Sequence, residues 1–243
     1  MRSGKDIMLS SRDLTKKYAS VTAVDHVTLD LEAGHIYAML GPNGSGKTTW
    51  MKMAAGLVKP TSGAIELDGR TISPDTKRDV AYMSTEPYFY SWMTVKNVGK
   101  YYKDFFDDFS IEKYRHLLDR MELTEAMKTK NLSTGMMAKL KIAVTMARNA
   151  RVIMLDEPLN GIDLIARDAI VKSILEVAER DTLLLVSSHM VEELETFADR
   201  AVFMKHGKLI LTTGIRELSD REGKTIVEKY REIYGHTGGD ESK

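Results

Sequence analysis

Gly41-Pro42-Asn43-Gly44-Ser45-Gly46-Lys47-Thr48 fits the pattern G-x-x-x-x-G-K-[ST]. A short apolar run, residues 35–40, leads into it, and residues 47–57 carry a helical pattern behind it. Between a strand and a helix this pattern is a phosphate-binding loop. Its glycines let successive backbone N–H groups curl around phosphate oxygens without Cβ clashes. The start of the helix turns its positive dipole end toward the same charges. Gly41, Asn43, Gly44, Ser45, Gly46, Lys47, Thr48 and the neighbouring Thr49 are therefore candidate phosphate contacts. Lys47 can reach β- and γ-phosphates, and the Thr48 hydroxyl is a candidate ligand for Mg²⁺.

On the N-terminal side, residues 7–14 and 24–31 alternate apolar and polar side chains, as half-buried strands do. On the C-terminal side, a turn cluster at residues 59–63 is followed by a short strand at 64–67 and the tight turn Asp68-Gly69. From residue 88 to 130 aromatic and charged residues recur at helical spacing, and Phe105, Phe106, Tyr114, Leu117, Leu118 and Met121 are expected to be buried there. Further helices are expected over 133–149 and 165–179. Strands are expected over 152–155, 182–187 and 201–204, with a hairpin turn at Gly207. The polar stretch 235–243 is expected to fray. Strands alternating with helices predict a largely parallel sheet with helices on both faces, and the middle of the chain a helical insert forming a smaller subdomain.

Composition narrows the class. The 243 residues are 43% hydrophobic and 29% charged, ordinary for a globular chain and too apolar for a disordered one. Lys plus Arg number 35 and Asp plus Glu 35, so the net charge is zero and no broad basic footprint for nucleic acid is expected. The absence of cysteine excludes disulfides, thiol nucleophiles and Cys-ligated zinc, and is compatible with the cytosol. No apolar run approaches the ~18 residues that cross a bilayer, and the basic first residues lack the apolar stretch of a signal peptide. A membrane role is expected to need a separate partner chain.

A second acidic motif, Val152-Ile153-Met154-Leu155-Asp156-Glu157, is an apolar strand ending in two carboxylates. A parallel strand delivers its C-terminal end to the ligand crevice. Asp156 is thereby a candidate for Mg²⁺, directly or through water, and Glu157 for polarising the attacking water. Just upstream, Leu132-Ser133-Thr134-Gly135-Met136 opens a predicted helix. In this order and spacing the sequence resembles the ATP-binding cassette (ABC) ATPases over nearly its whole length. Their signature is Leu-Ser-Gly-Gly-Gln, of which Leu132, Ser133 and Gly135 are kept.

The resemblance implies an α/β fold, in which a P-loop NTPase core with a mostly parallel sheet carries an antiparallel β subdomain and a helical insert. It implies a single ABC ATPase domain over residues 1–243, with 1–87 and 150–243 as the catalytic core and 88–149 as the helical subdomain. It implies ATP and Mg²⁺ as ligands and makes Lys47, Glu157 and His189 the catalytic candidates. His189 follows the 182–187 strand where the family places a γ-phosphate switch. Tyr18 falls where an aromatic stacks on adenine, and Asn160-Gly161-Ile162-Asp163 where a loop crosses to a partner cassette. Ser133 and Gly135 are implied to bind the γ-phosphate held by a second ABC ATPase chain, a homodimer or close-paralogue partner. Function is implied to be that of the ATP-hydrolysing subunit of an ABC transporter, cytoplasmic and peripheral on the inner face of the membrane through a transmembrane permease subunit. The loop around Thr85 to Trp92, rich in aromatics, and the aromatic helical insert are together the expected docking surface for that permease. Export is the expected direction, the chain being similar to cassettes of bacterial drug and antibiotic exporters. A soluble ABC ATPase acting on nucleic acid or ribosomes is the alternative. One departure stands out: Thr85 occupies a position where the family usually has glutamine, and Glu86 beside it is either a substitute or a surface charge.

Overall fold

The structure, a computed structural model, describes residues 7–86, 89–177 and 181–235. Several expectations above concern residues outside these: Pro87 and Tyr88, the far end of the 165–179 helix, and the terminal stretches at 1–6 and 236–243.

Two sheets are present. β1 (Ile7–Tyr18) and β2 (Val21–Glu32) form a hairpin, which β4 (Ser62–Leu67) and β5 (Arg70–Thr71) extend to an antiparallel sheet in the order β2-β1-β4-β5. The second sheet is built from β3 (Ile36–Leu40), β6 (Val80–Met83), β7 (Val152–Asp156), β8 (Leu183–Ser188), β9 (Arg200–Lys205) and β10 (Lys208–Gly214). Its order is β10-β9-β3-β8-β7-β6, parallel throughout except for β10, which turns back on β9 at His206-Gly207.

The central strands read as continuous apolar runs because both faces are covered. Tyr37, Met39, Val152, Met154, Leu183 and Leu185 point to one side, where Trp50, Met51 and Met53 of α1 (Lys47–Ala54) and the antiparallel sheet cover them. Ala38, Leu40, Ile153, Leu155, Leu184 and Val186 point to the other, the side of the remaining helices. Among the described residues, the expectation of helices on both faces is thus met on one of them by α1 alone of the α-helices, sharing that face with a sheet.

Between β6 and β7 the chain makes α2 (Val95–Phe105), α3 (Ile111–Arg120) and α4 (Thr134–Met146). Thr94 and Asn97 form a capping box for α2, and Ser110 and Ser133 cap α3 and α4. Leu140, Ile142, Val144 and Met146 of α4 are fully buried, each contributing about 1.5–3 kcal/mol of apolar burial. After β7 come α5 (Leu164–Val177), α6 (Val191–Glu195), α7 (Ile215–Glu222) and α8 (Ile226–Tyr234).

Phe105 departs from expectation. It is 67% exposed, because α2 turns Val95, Val98 and Gly99 inward and leaves Phe105 outside, its ring tilted against Tyr101 with centroids 4.5 Å apart. Gly99 also yields a stability prediction. A Cβ there would lie 2.3 Å from Cε1 of the buried Tyr114, whose hydroxyl donates to Val95 O at 2.8 Å. Alanine would gain roughly 1 kcal/mol of helix propensity, but overpacking a held ring costs about 1–3 kcal/mol. Gly99→Ala is expected to lower the urea midpoint, against the propensity order. A raised midpoint would show that Tyr114 yields freely.

Candidate active site

Gly41, directly after β3, sits at φ 154, and a Cβ on it would come 2.4 Å from Met204 O and 2.6 Å from Ser45 Oγ. Gly46 caps α1 at φ 104, where a Cβ would meet Ala23 O at 2.5 Å. Only glycine fits at either place. The loop is fastened from outside: Gly207 N donates to Ser45 O at 3.0 Å, and Asp25 N donates to Gly207 O at 2.9 Å. Lys47 is 6% exposed and donates to Gly41 O at 2.7 Å and Pro42 O at 3.3 Å. Burial holds its ammonium below the usual lysine range, while the charges of Glu157 and Asp156 oppose that shift. Ser45 Oγ is buried and has no hydrogen-bond partner among the described residues, which fits a loop built to surround an anion.

The acidic pair lies at the carboxyl end of β7. Asp156 is fully buried; its Oδ1 accepts from Ser187 Oγ at 2.5 Å and its Oδ2 from Tyr82 Oη at 3.1 Å. Burial and then the Asp156 charge push the Tyr82 hydroxyl far above its ordinary pKa, so it remains a donor. A carboxylate has about four acceptor sites, so capacity remains on Asp156. Glu157 follows at φ 50, a left-handed conformation that non-glycine residues adopt at a cost of about 1–3 kcal/mol. Its N–H is held by Ser187 O at 3.1 Å and Ser187 Oγ at 3.0 Å. Its Oε2 lies 2.8 Å from His189 Nδ1.

A cavity of about 450 Å³ brings these parts together. Its walls are residues 43–49 of the loop, residues 21–23 of β2, and Thr85, Glu157, Asn160 and His189. Asp156 is not among the walls, and neither is Tyr18. Tyr18 is 46% exposed at the end of β1, with Lys16 Nζ 4.9 Å from its ring centroid. Ser133 and Gly135 also stand apart. Ser133 is exposed, its Oγ accepting from Met136 N at 3.2 Å, and it lines an adjoining cavity of about 370 Å³ that shares Thr85, Glu157 and Asn160 with the first. Gly135 packs within 2.9 Å, measured from a Cβ built on it, of Gly161 O. Glu86 is not a wall of the loop's cavity; its side chain is 74% exposed and pairs with Lys52 Nζ at 3.2 Å.

Some functional neighbours escaped the sequence reading. Ser187 and Tyr82 grip Asp156, Ala23 and Gly207 shape the loop, and Lys141 lies buried behind Thr85. Only Gly207 carried a local signal, the turn at His206-Gly207.

A phosphate loop at the carboxyl edge of a parallel sheet, facing a carboxylate paired with an imidazole, defines a nucleotide-hydrolysing P-loop protein. The family profile of ABC transporters matches residues 24–160. The ABC transporter ATP-binding protein YtrB of Bacillus subtilis is 32% identical over 216 residues, 88% of this chain and 74% of the relative. The bacitracin transport ATP-binding protein BcrA of Bacillus licheniformis is 31% identical over 90% of this chain and 74% of its own length. Among solved structures, an ATP-binding subunit of an ABC transporter superposes with a TM-score of 0.83 at 25% identity, covering 93% of this chain and 99% of that one. The chain belongs to the ABC transporter family, among its ATPases.

Proposed function

We propose that the chain binds MgATP in the cavity at the phosphate loop and hydrolyses it within a head-to-tail pair with a second copy or a close paralogue. The carrying observation is that the cavity is one-sided: Lys47, Thr48, Glu157 and His189 line it, while Ser133 at the start of α4 is exposed elsewhere. The loop amides and Lys47 hold the phosphates. Glu157, oriented by His189 and the Ser187 contacts, accepts the proton of the attacking water. Ser133 and the first amides of α4 meet the partner's γ-phosphate. The hard oxygens of Thr48 and Asp156 suit Mg²⁺, which keeps several waters and needs few protein ligands. Bound there, the ion would offset charge on the β- and γ-phosphates. Adenine would rest near Val21 to Ala23 and reach the half-exposed Tyr18, over whose ring the Lys16 ammonium lies.

The work of hydrolysis would pass to a separate transmembrane permease at the cytoplasmic face of a membrane, for export. Support comes from the transport named for BcrA, and from the described residues containing no helix long and apolar enough to cross a membrane. Residues 88–149 would act as a helical subdomain against the core formed by 1–87 and 150–243. Its docking surface would be the exposed Tyr90 and Trp92, stacked at 5.8 Å, while Phe89 turns in against Tyr102.

Complementation tests this reading. Ser133→Arg damages the face offered to the partner, and Lys47→Ala damages the chain's own loop. Each variant alone is expected to be inactive in ATPase assays. In an equal mixture half the dimers are mixed, and one of their two sites pairs an intact loop with an intact Ser133. Activity should therefore return to about a quarter of wild type. A mixture as inactive as its components would count against the head-to-tail arrangement.

A further inference from the structure

The loop leaving β6 is held from two sides. On one side the Glu86 carboxylate accepts from Lys52 of α1, the helix that continues the phosphate loop. On the other, Lys141 Nζ donates to Thr85 O at 2.8 Å and to Glu86 O at 3.2 Å. Lys141 is 6% exposed, set in α4 among the buried Leu140, Ile142, Ala143 and Val144. Placing an ammonium there is costly, and burial depresses its pKa against the opposing charges of Asp156 and Glu86.

Thr85 and Glu86 are exposed as residues, yet both turn their carbonyls toward this buried ammonium. Core packing fixes the body of α4 against β6 and β7 through Leu140, Ile142 and Val144, but its first turns face the cavity of about 370 Å³, whose walls include Ser133, Lys141, Thr85 and Glu157. What the buried ammonium adds is a fixed distance between α4 and Thr85, a wall of the loop's own cavity.

We propose that Lys141 is a positioning residue for hydrolysis: together with Lys52 it makes Thr85–Glu86 a tie between α1 and α4, setting Ser133 in register with the chain's own phosphate loop. The inference rests on the reading that Ser133 meets the ATP of a second copy. A tie of this kind acts on the assembled site and leaves ATP binding to the single chain untouched. Its removal should therefore lower kcat rather than affinity.

The test compares wild type, Lys141→Met and Lys141→Arg for ATP affinity by calorimetry, for steady-state ATPase parameters and for thermal midpoint. Methionine keeps the apolar stem and removes the donor, whereas arginine keeps donors for both carbonyls. Lys141→Met is expected to keep ATP affinity within about two-fold while kcat falls by about ten-fold, and Lys141→Arg to recover most of it. A kcat within two-fold of wild type in Lys141→Met overturns the tie. So does a loss of kcat matched by an equal loss of ATP affinity. If the methionine variant does not fold, Lys52→Met, on the exposed arm, replaces it: reduced kcat at unchanged affinity supports the tie, and unchanged kcat overturns it. Absence of ATP binding by the wild-type chain would instead strike the reading of the site itself.

Discussion

Lys47→Ala is expected to weaken ATP binding by about 100-fold or more. The ammonium is carried by the first residue of α1 and points back along the loop, donating to Gly41 O and Pro42 O. Lys47 also lines the cavity in which the phosphates would sit, so the same donors can turn to the ligand. Charge-assisted hydrogen bonds contribute about 1.5–3 kcal/mol each. Two of them lost amount to roughly 3 kcal/mol or more, the factor of about 100. A second effect has the same sign. Glu157 and Asp156 lie close enough to raise the Lys47 pKa against its burial, so without the cation a polyanionic ligand would face both carboxylates with less compensation. Calorimetry with ATP reads the loss, and circular dichroism separates it from unfolding. Affinity within about three-fold of wild type would remove Lys47 from the phosphate site.

How much could be read from the sequence depended on how local the signal was. The phosphate loop was legible because its geometry is fixed within a few residues: Gly41 and Gly46 need backbone angles that glycine alone adopts freely, and Lys47 follows at set spacing. β7 and β8 were legible because burial on both faces leaves apolar runs too short for anything but strands. α7 and α8 were missed. Their signals were present in the capping box of Thr225 with Glu228 and in Gly223 at φ 65, but the polar composition around them masked the inward positions Leu218, Ile226 and Tyr234. Phe105 was misplaced because α2 ends there and the chain turns extended at Phe106, so that Phe106 packs against the core and Phe105 stays outside, and composition alone does not fix where the helix ends. Lys141 was passed over for a different reason. A lysine in sequence reads as a solvated charge, and only the fold places carbonyls from residues 85 and 86 against it. The same holds for Ser187 and Tyr82, whose grip on Asp156 joins three neighbouring strands.

Glu157→Gln is expected to keep ATP affinity within about three-fold while lowering turnover by about 10²- to 10³-fold. Glutamine is close to isosteric, and the backbone that places it is held independently by two bonds from Glu157 N to Ser187. The left-handed conformation at φ 50 should therefore persist, and with it the shape of the cavity. What changes is proton chemistry. The carboxylate accepts from His189 at 2.8 Å on one oxygen and retains acceptor sites for the attacking water on the other. An amide is too weakly basic to take that water's proton, and general-base catalysis contributes about 10²–10⁴-fold. A slow site also changes assembly. If two chains close around two ATP molecules and reopen after hydrolysis, blocking hydrolysis leaves the closed pair as the resting state. The variant should then elute as a dimer in size-exclusion chromatography with MgATP and as a monomer without it. Adding Ser133→Arg to the same chain should return it to monomer, because ATP stays bound to its own loop but loses the partner's face. Wild-type turnover in Glu157→Gln would take the proton-accepting role away from Glu157. Dimerisation that ignored Ser133→Arg would mean that the chains meet through another surface.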